Sequence, residues 1–259
     1  MPRALLPQAH FWLERPFSSE HRQWAEPTYP YGSRGTGIYV LHTGVDISNP
    51  LETPVRAVAD GEVIYAGDDA ERAFGPKPVF YGNLVVQRLA QRSGDRDLYV
   101  LYGHLNTVEV RSGQTVRAGD VVGGVGMTGI AIGPHLHLEV REGANSYDAT
   151  RNPEFWLRPL AGHGVLAGRV RDVTGRSVPG ERLLVYKAGG TDQLWQVVRT
   201  YPADPQINSD EAWGENLLLA DVPAGEYVLV AGRSDAIVRL PLTIEDGQVT
   251  FVEIEMGSQ

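Results

Sequence analysis

From residue 38 onward the chain is built of short alternating runs. IYVLHTGVDI (38–47), VRAVADGEVIYAG (55–67), NLVVQRLA (83–90), LYVLYGHL (98–105), TVEVRSG (107–113), DVVGGVG (120–126) and HLHLEVRE (135–142) place apolar side chains at every second position, or nearly so. A period of two sends successive side chains to opposite faces of a strand, so these runs predict β-strands. Gly, Pro and Asp punctuate them, and strand–turn–strand at this pace predicts an antiparallel sheet. The stretch DDAERAFGPKPVFY (68–81) breaks the pattern and is expected to form a long loop along one wall of a groove. One run poses a question. In HLHLEV (135–140), Leu136, Leu138 and Val140 share an apolar face, yet His135, His137 and Glu139 occupy the other.

RNPEFWLRPLAG (151–162), with two prolines and a closing glycine, reads as the end of a domain. Alternation then resumes in LLVYKA, WQVVRTY, NLLLADV, EYVLVAG, AIVRLPLTI and VTFVEIEM, separated by Gly, Pro and Asp turns, which predicts a small β-sandwich. Ahead of residue 38, TYPYGSRGTG (28–37) reads as an irregular loop. The expected organisation is an N-terminal extension over 1–37, a β domain over 38–162 and a second β domain over 163–259.

Composition narrows the chemistry. The 259 residues contain no cysteine, which removes disulfides, thiolate catalysis and cysteine-ligated zinc. The formal charge is −9 and only two lysines occur, Lys77 and Lys187, so neither a nucleic-acid backbone nor a polybasic membrane contact is expected. No stretch of about 20 apolar residues predicts a membrane span. The opening MPRALLPQAHFWLERPF lacks the apolar core of a signal peptide. The second β segment, 164–259, carries 14 acidic and 8 basic residues and no histidine, so candidate chemistry concentrates in the first.

There, HTGVD (42–46) places His42 and Asp46 four residues apart, on one face if the stretch is a strand, with Gly44 between them leaving room for an ion. An imidazole and a carboxylate suit Zn2+, and a third donor is available from the His135/His137 pair. YGHL (102–105) adds His104. Three protein donors leave an open position, the mark of a catalytic rather than a structural zinc. Glu139 is either an acceptor that orients a ligand or a solvated carboxylate at the strand end, and Tyr102 either a substrate contact or packing.

The order H-x-G-x-D, Y-x-H-L and G-P-H-L-H-L-E closely resembles the zinc peptidases of the lysostaphin and LytM type, the M23 class. The similarity runs from about Tyr31 to Leu160 and includes TPVRAVADGEVIYAG, YGNLVV, VRSGQTVRAGDVVGGVGMTG and NPEFWL. The resemblance implies a mainly β fold, a split antiparallel β-barrel or sheet followed by the small β-sandwich. It implies Zn2+ held by His42, Asp46 and His137, with His104 as general base and His135 beside the substrate. It also implies a metallo-endopeptidase acting on the peptide part of bacterial peptidoglycan, placed outside the cell or in its envelope. The alternatives are a non-catalytic wall-binding or regulatory module of the same fold, and a peptidase of Gly-rich proteins.

Other signals fail. GVGMTG (124–129) matches a dinucleotide fingerprint, but no helix follows it. The carrier-domain likeness of VRSGQTVRAGDVV lacks a hairpin lysine, and no G-x-S-x-G nucleophile elbow occurs. GVLAGRVRDVTGRSVPGERLLVYKAG (164–189) and LLLADVPAGEYVLVAG (217–232) resemble carboxypeptidase-regulatory-like or transthyretin-like sandwiches, which implies a fold and, most simply, a spacer. Within 1–37, His10, His21 and Glu26 are the side chains able to compete for an open metal position.

Overall fold

The computed structural model describes residues 7–35, 37, 39–189, 193–232 and 237–257. These fall into two compact units, one of the described residues in Trp12–Leu157 and Pro205–Asn208, the other of those in Met1–Phe11, Arg158–Asp204 and Ser209–Gln259. The unit that carries His42, His104, His135 and His137 therefore begins at Trp12, and most of the expected N-terminal extension packs within it. Leu13 is fully buried and bridges to Leu157, and Glu14 donates its backbone N–H to the Val58 carbonyl at 2.7 Å.

In this unit the strands are β1 (Val45–Ser48), β2 (Pro54–Arg56), β3 (Gly61–Asp68), β4 (Asn83–Ser93), β5 (Arg96–Leu105), β6 (Thr107–Val108), β7 (Thr115–Val116), β8 (Val121–Gly124), β9 (His135–Glu142) and β10 (Thr150–Arg151). The main sheet runs β1-β9-β5-β4-β3-β7, with β10 also on β9, and a small sheet runs β2-β8-β6. Every pairing within them is antiparallel. Among the described residues the one helical element is a 3₁₀ turn at Pro153–Phe155, and no helix is long and apolar enough to cross a membrane.

Strand β9 sits between β1 and β5, and all eight of its residues are buried. Its apolar face, Leu136, Leu138 and Val140, is fully enclosed, each side chain contributing about 1.5–3 kcal/mol by leaving water. The other face is buried too, so the alternation in HLHLEV marks a polar interior rather than a wet surface. Register fixes who meets whom: Asp46 pairs with His137 across β1, and Gly103 pairs with His137 across β5.

The second unit holds β11 (His163–Asp172), β12 (Arg182–Lys187), β13 (Gln193–Arg199), β14 (Leu217–Pro223), β15 (Gly225–Ala231), β16 (Val238–Ile244) and β17 (Val249–Met256). They form two sheets, β14-β11-β17 and β13-β12-β15-β16. One apolar cluster draws from both, including Leu166, Leu217 and Ile254 from the first sheet and Val185, Leu229 and Ile244 from the second. Two sheets sharing one core is the sandwich expected from the alternation.

Candidate metal centre

His42 lies just ahead of β1, not within it. The expectation that the HTGVD stretch is a strand throughout is therefore corrected: His42 and Asp46 converge because the loop turns His42 inward. Gly32 donates its N–H to the His42 carbonyl at 2.8 Å, and His42 N–H donates to Ser33 at 2.9 Å. The Tyr29 carbonyl lies 2.6 Å from His42 Nδ1, and the Tyr29 ring stacks on the imidazole at 4.1 Å and 8°. A carbonyl only accepts, so Nδ1 carries the hydrogen and the lone pair sits on Nε2. Gly44 also plays another part than expected. A Cβ there would lie 2.4 Å from the Leu138 carbonyl and 2.8 Å from His137 Nε2, so its missing side chain makes room for β9 and the His137 ring.

Three donor atoms meet at this point. His42 Nε2 and His137 Nδ1 lie 3.0 and 2.8 Å from Asp46 Oδ1, and 3.2 Å from each other. Four ligands at about 2.0–2.2 Å in a tetrahedron stand about 3.3–3.6 Å apart, so a small expansion turns this triad into a zinc face. Two imidazole lone pairs and a carboxylate, all acceptors, call for positive charge between them. The titration pattern agrees. Burial opposes ionisation of Asp46, but His42 and His137 hold its carboxyl well below the usual range. Burial also works against a charged His137, yet its hydrogen bonds to Asp46 and Glu139 push it up to about 9. The site favours a cation, and its residues fit Zn2+.

The other two histidines face the same cleft. His104, near the end of β5, has φ 62°, a left-handed conformation costing a non-glycine residue of order 1–3 kcal/mol. Its N–H donates to the Tyr81 carbonyl at 2.9 Å, and Nδ1 lies 2.8 Å from the Thr128 carbonyl. Nδ1 thus holds the hydrogen, and Nε2 offers a lone pair. Burial, reinforced by His137 and His135, pushes His104 down to about 3, so it is neutral near pH 7. His135 donates from Nδ1 to the Gly133 carbonyl at 2.9 Å and turns Nε2 to within 3.6 Å of Asp46. The His104 and His135 rings stand 4.9 Å apart, edge to face.

The cleft around them has a volume of about 470 Å³, with Glu26, Tyr29, Tyr39, Val40, Phe80 and Ile130 in its walls. Phe80 comes from the loop expected to wall a groove. The buried Asp69 carboxylate pins that loop by accepting the N–H groups of Phe80, Tyr81 and Gly82 at 2.8–2.9 Å. Of the N-terminal residues considered as metal competitors, Glu26 lines the cleft with its carboxylate bonded to Arg22 and Thr28, whereas His10 pairs with Asp210 at 2.9 Å in the other unit. Tyr102 is packing: its hydroxyl donates to Gln87 at 2.7 Å and accepts from the Val58 N–H. Tyr81, the last residue of that loop, is fully buried and donates to Glu139 at 2.5 Å.

Comparison with known proteins agrees with this arrangement. Residues 40–149 match the model of peptidase family M23. Over 128 residues the chain is 39% identical to the "DD-carboxypeptidase/endopeptidase Mpg" of Neisseria meningitidis serogroup B, covering 48% of this chain and 26% of that protein. It is 32% identical over 136 residues to the "Glycyl-glycine endopeptidase ALE-1" of Staphylococcus capitis, covering 52% and 33%. Among solved structures, the catalytic domain of the prophage-encoded M23 protein EnpA from Enterococcus faecalis aligns with 28% identity and a TM-score of 0.43, over 55% of this chain and 95% of that one. The chain thus spans about a quarter to a third of the length of these two relatives. The matched residues contain His42, Asp46, His104, His135 and His137, and over them the chain carries a domain of peptidase family M23.

Proposed function

We propose that this chain is a zinc metallo-endopeptidase that hydrolyses peptide bonds in bacterial peptidoglycan, with Zn2+ held by His42 Nε2, Asp46 Oδ1 and His137 Nδ1. The observation that carries the proposal is the convergence of these three acceptor atoms within 4.8 Å of one another, beside two more imidazoles. Zinc bound there supplies Lewis acidity toward a carbonyl oxygen and makes a water more acidic. The chain's own residues do the rest. His104, held neutral by burial and anchored through Nδ1–H, accepts a proton at Nε2 and returns it to the leaving amine. His135 has its Nδ1–H committed to Gly133, so it hydrogen-bonds a developing oxyanion from Nε2 only in its protonated form.

Peptidoglycan as substrate is supported by the named activities of the matched relatives, and a place in the cell envelope follows from that substrate. We take the second unit, whose histidines are His10, paired with Asp210, and His163, at its first strand, as a spacer that positions the domain. The complete set of five side chains argues against a non-catalytic module of the same fold. Separate His104→Ala and His135→Ala variants, assayed on a synthetic stem peptide with zinc content measured in parallel, test the roles. Each is expected to keep zinc and lose about 10²–10⁴-fold in turnover. Full activity in both would refute the scheme.

A further inference from the structure

Behind the metal-site triad lies a second, closed set of polar groups. Glu139 and Arg141 are both fully buried, on the same face of β9 as His137. Glu139 Oε1 accepts from the Tyr81 hydroxyl at 2.5 Å and the Thr43 hydroxyl at 2.6 Å, and lies 3.2 Å from His137 Nε2. Glu139 Oε2 accepts from Arg141 Nε at 2.8 Å and Nη2 at 2.7 Å. The guanidinium also donates to Asn145 Oδ1 and to the Phe74 carbonyl, each at 2.9 Å.

An ionised carboxylate only accepts, so the hydrogen in the His137–Glu139 contact belongs to His137 Nε2. The lone pair of the neutral ring is then on Nδ1, the atom that faces Asp46 and His42. We infer that Glu139 is a positioning residue for the metal centre, fixing His137 in its Nε2–H tautomer so that Nδ1 is the ligand atom, and that Arg141, Tyr81 and Thr43 hold Glu139 in place for that task. The inference rests on the metal-site reading above. A neutral imidazole free of this contact exchanges between two tautomers, and only one of them presents a lone pair to the triad. Partners of this kind are worth about 10–100-fold in metal affinity. The same guanidinium ties the ligand strand to the 69–81 wall at Phe74 and to the turn at Asn145, so both loops bear on the metal ligand through one side chain.

The competing account is that Glu139 merely neutralises Arg141. Two double variants of the full chain separate the two, because both lack the ion pair and only one keeps an acceptor for His137. In Glu139→Gln/Arg141→Met the amide oxygen still accepts from Nε2–H; in Glu139→Leu/Arg141→Met nothing does. Zinc dissociation constants by chelator competition and the His137 tautomer by long-range ¹H–¹⁵N correlation on zinc-loaded protein are the readouts, with far-UV dichroism to verify the fold. The leucine variant is expected to bind zinc about 10–100-fold more weakly, and the glutamine variant to recover most of that loss with His137 still protonated on Nε2. Equal zinc affinity in both variants, with the same His137 tautomer, would overturn the inference. Wild-type protein that binds no zinc is a different failure: it would remove the metal-site reading and this inference with it.

Discussion

Each unit of the molecule buries a glutamate, and the two are treated in opposite ways. In the M23 unit, Glu139 is fully buried, yet Arg141, His137 and Thr43 overcome the burial penalty and hold its carboxyl down to about 2. In the sandwich unit, burial pushes Glu215 up to about 8, and the neighbouring Asp210 adds to the shift. The backbone N–H of Asp210 and the Tyr201 hydroxyl donate to Glu215, at 3.0–3.3 Å, and among the described residues no cation pairs with it. Burial alone therefore says nothing about the charge of a carboxylate. The partner decides, and in the M23 unit the partners form a chain that ends at His137, a proposed metal ligand.

The largest expected effect tests whether the two units differ in function as well as charge. His137→Ala should abolish stoichiometric zinc binding and hydrolysis together. Chelation of the wild type should lower the melting transition of the M23 unit alone, since saturation at 1,000 times the dissociation constant is worth about 4 kcal/mol and the sandwich offers no equivalent site among its described residues. A calorimetric shift confined to the sandwich transition would contradict the assignment.

Next in size is Glu139→Ala, which leaves the buried Arg141 without its carboxylate and should cost about 3–5 kcal/mol in denaturant unfolding of the M23 unit. A loss below 1 kcal/mol would mean that water or a neighbour replaces the carboxylate.

Glu215 makes the contrasting prediction in pH. Its folded pKa of about 8 stands above its ordinary value of 4.5, so its contribution is fully present below pH 4.5. As pH rises through the window from 4.5 to about 8, the unfolded state ionises first, and the sandwich loses stability at about 1.4 kcal/mol per pH unit at most. Glu215→Gln should flatten that slope and leave the sandwich more stable than wild type at pH 9. An unchanged slope in the variant would rule out Glu215 as its source.

The smallest effect concerns the other imidazole ligand. Tyr29→Ala removes the ring stacked on His42 but keeps the carbonyl that orients it, so a loss of about 0.5–1.5 kcal/mol and a less than tenfold weaker zinc affinity are expected by calorimetry and chelator competition.

The strands and the five cleft side chains were legible because their signals are local. Period-two alternation gave nearly every strand, and H-x-G-x-D, Y-x-H-L and H-L-H needed only short spacings. What stayed hidden depends on distant partners. Glu139 read equally well as a solvated carboxylate, because Tyr81 and Thr43, which decide the matter, lie 58 and 96 residues away. The Tyr29 stack was hidden in an irregular loop whose path depends on backbone bonds between residues 32–33 and His42. Leu13, in an apolar cluster bounded by prolines, gave no sign that its partner would be Leu157. The role of Gly44 was misread because the object it clears, the His137 ring, arrives with a strand more than 90 residues later.

The most direct test of the central claim is a digest of purified peptidoglycan by the zinc-loaded protein, beside a chelated sample and a His104→Ala control, read by mass spectrometry of the released fragments. The zinc-loaded protein is expected to release defined peptide fragments, suppressed by the chelator and lost in the variant. No release by the zinc-loaded protein across several wall chemotypes, or release that persists without zinc, would contradict the claim.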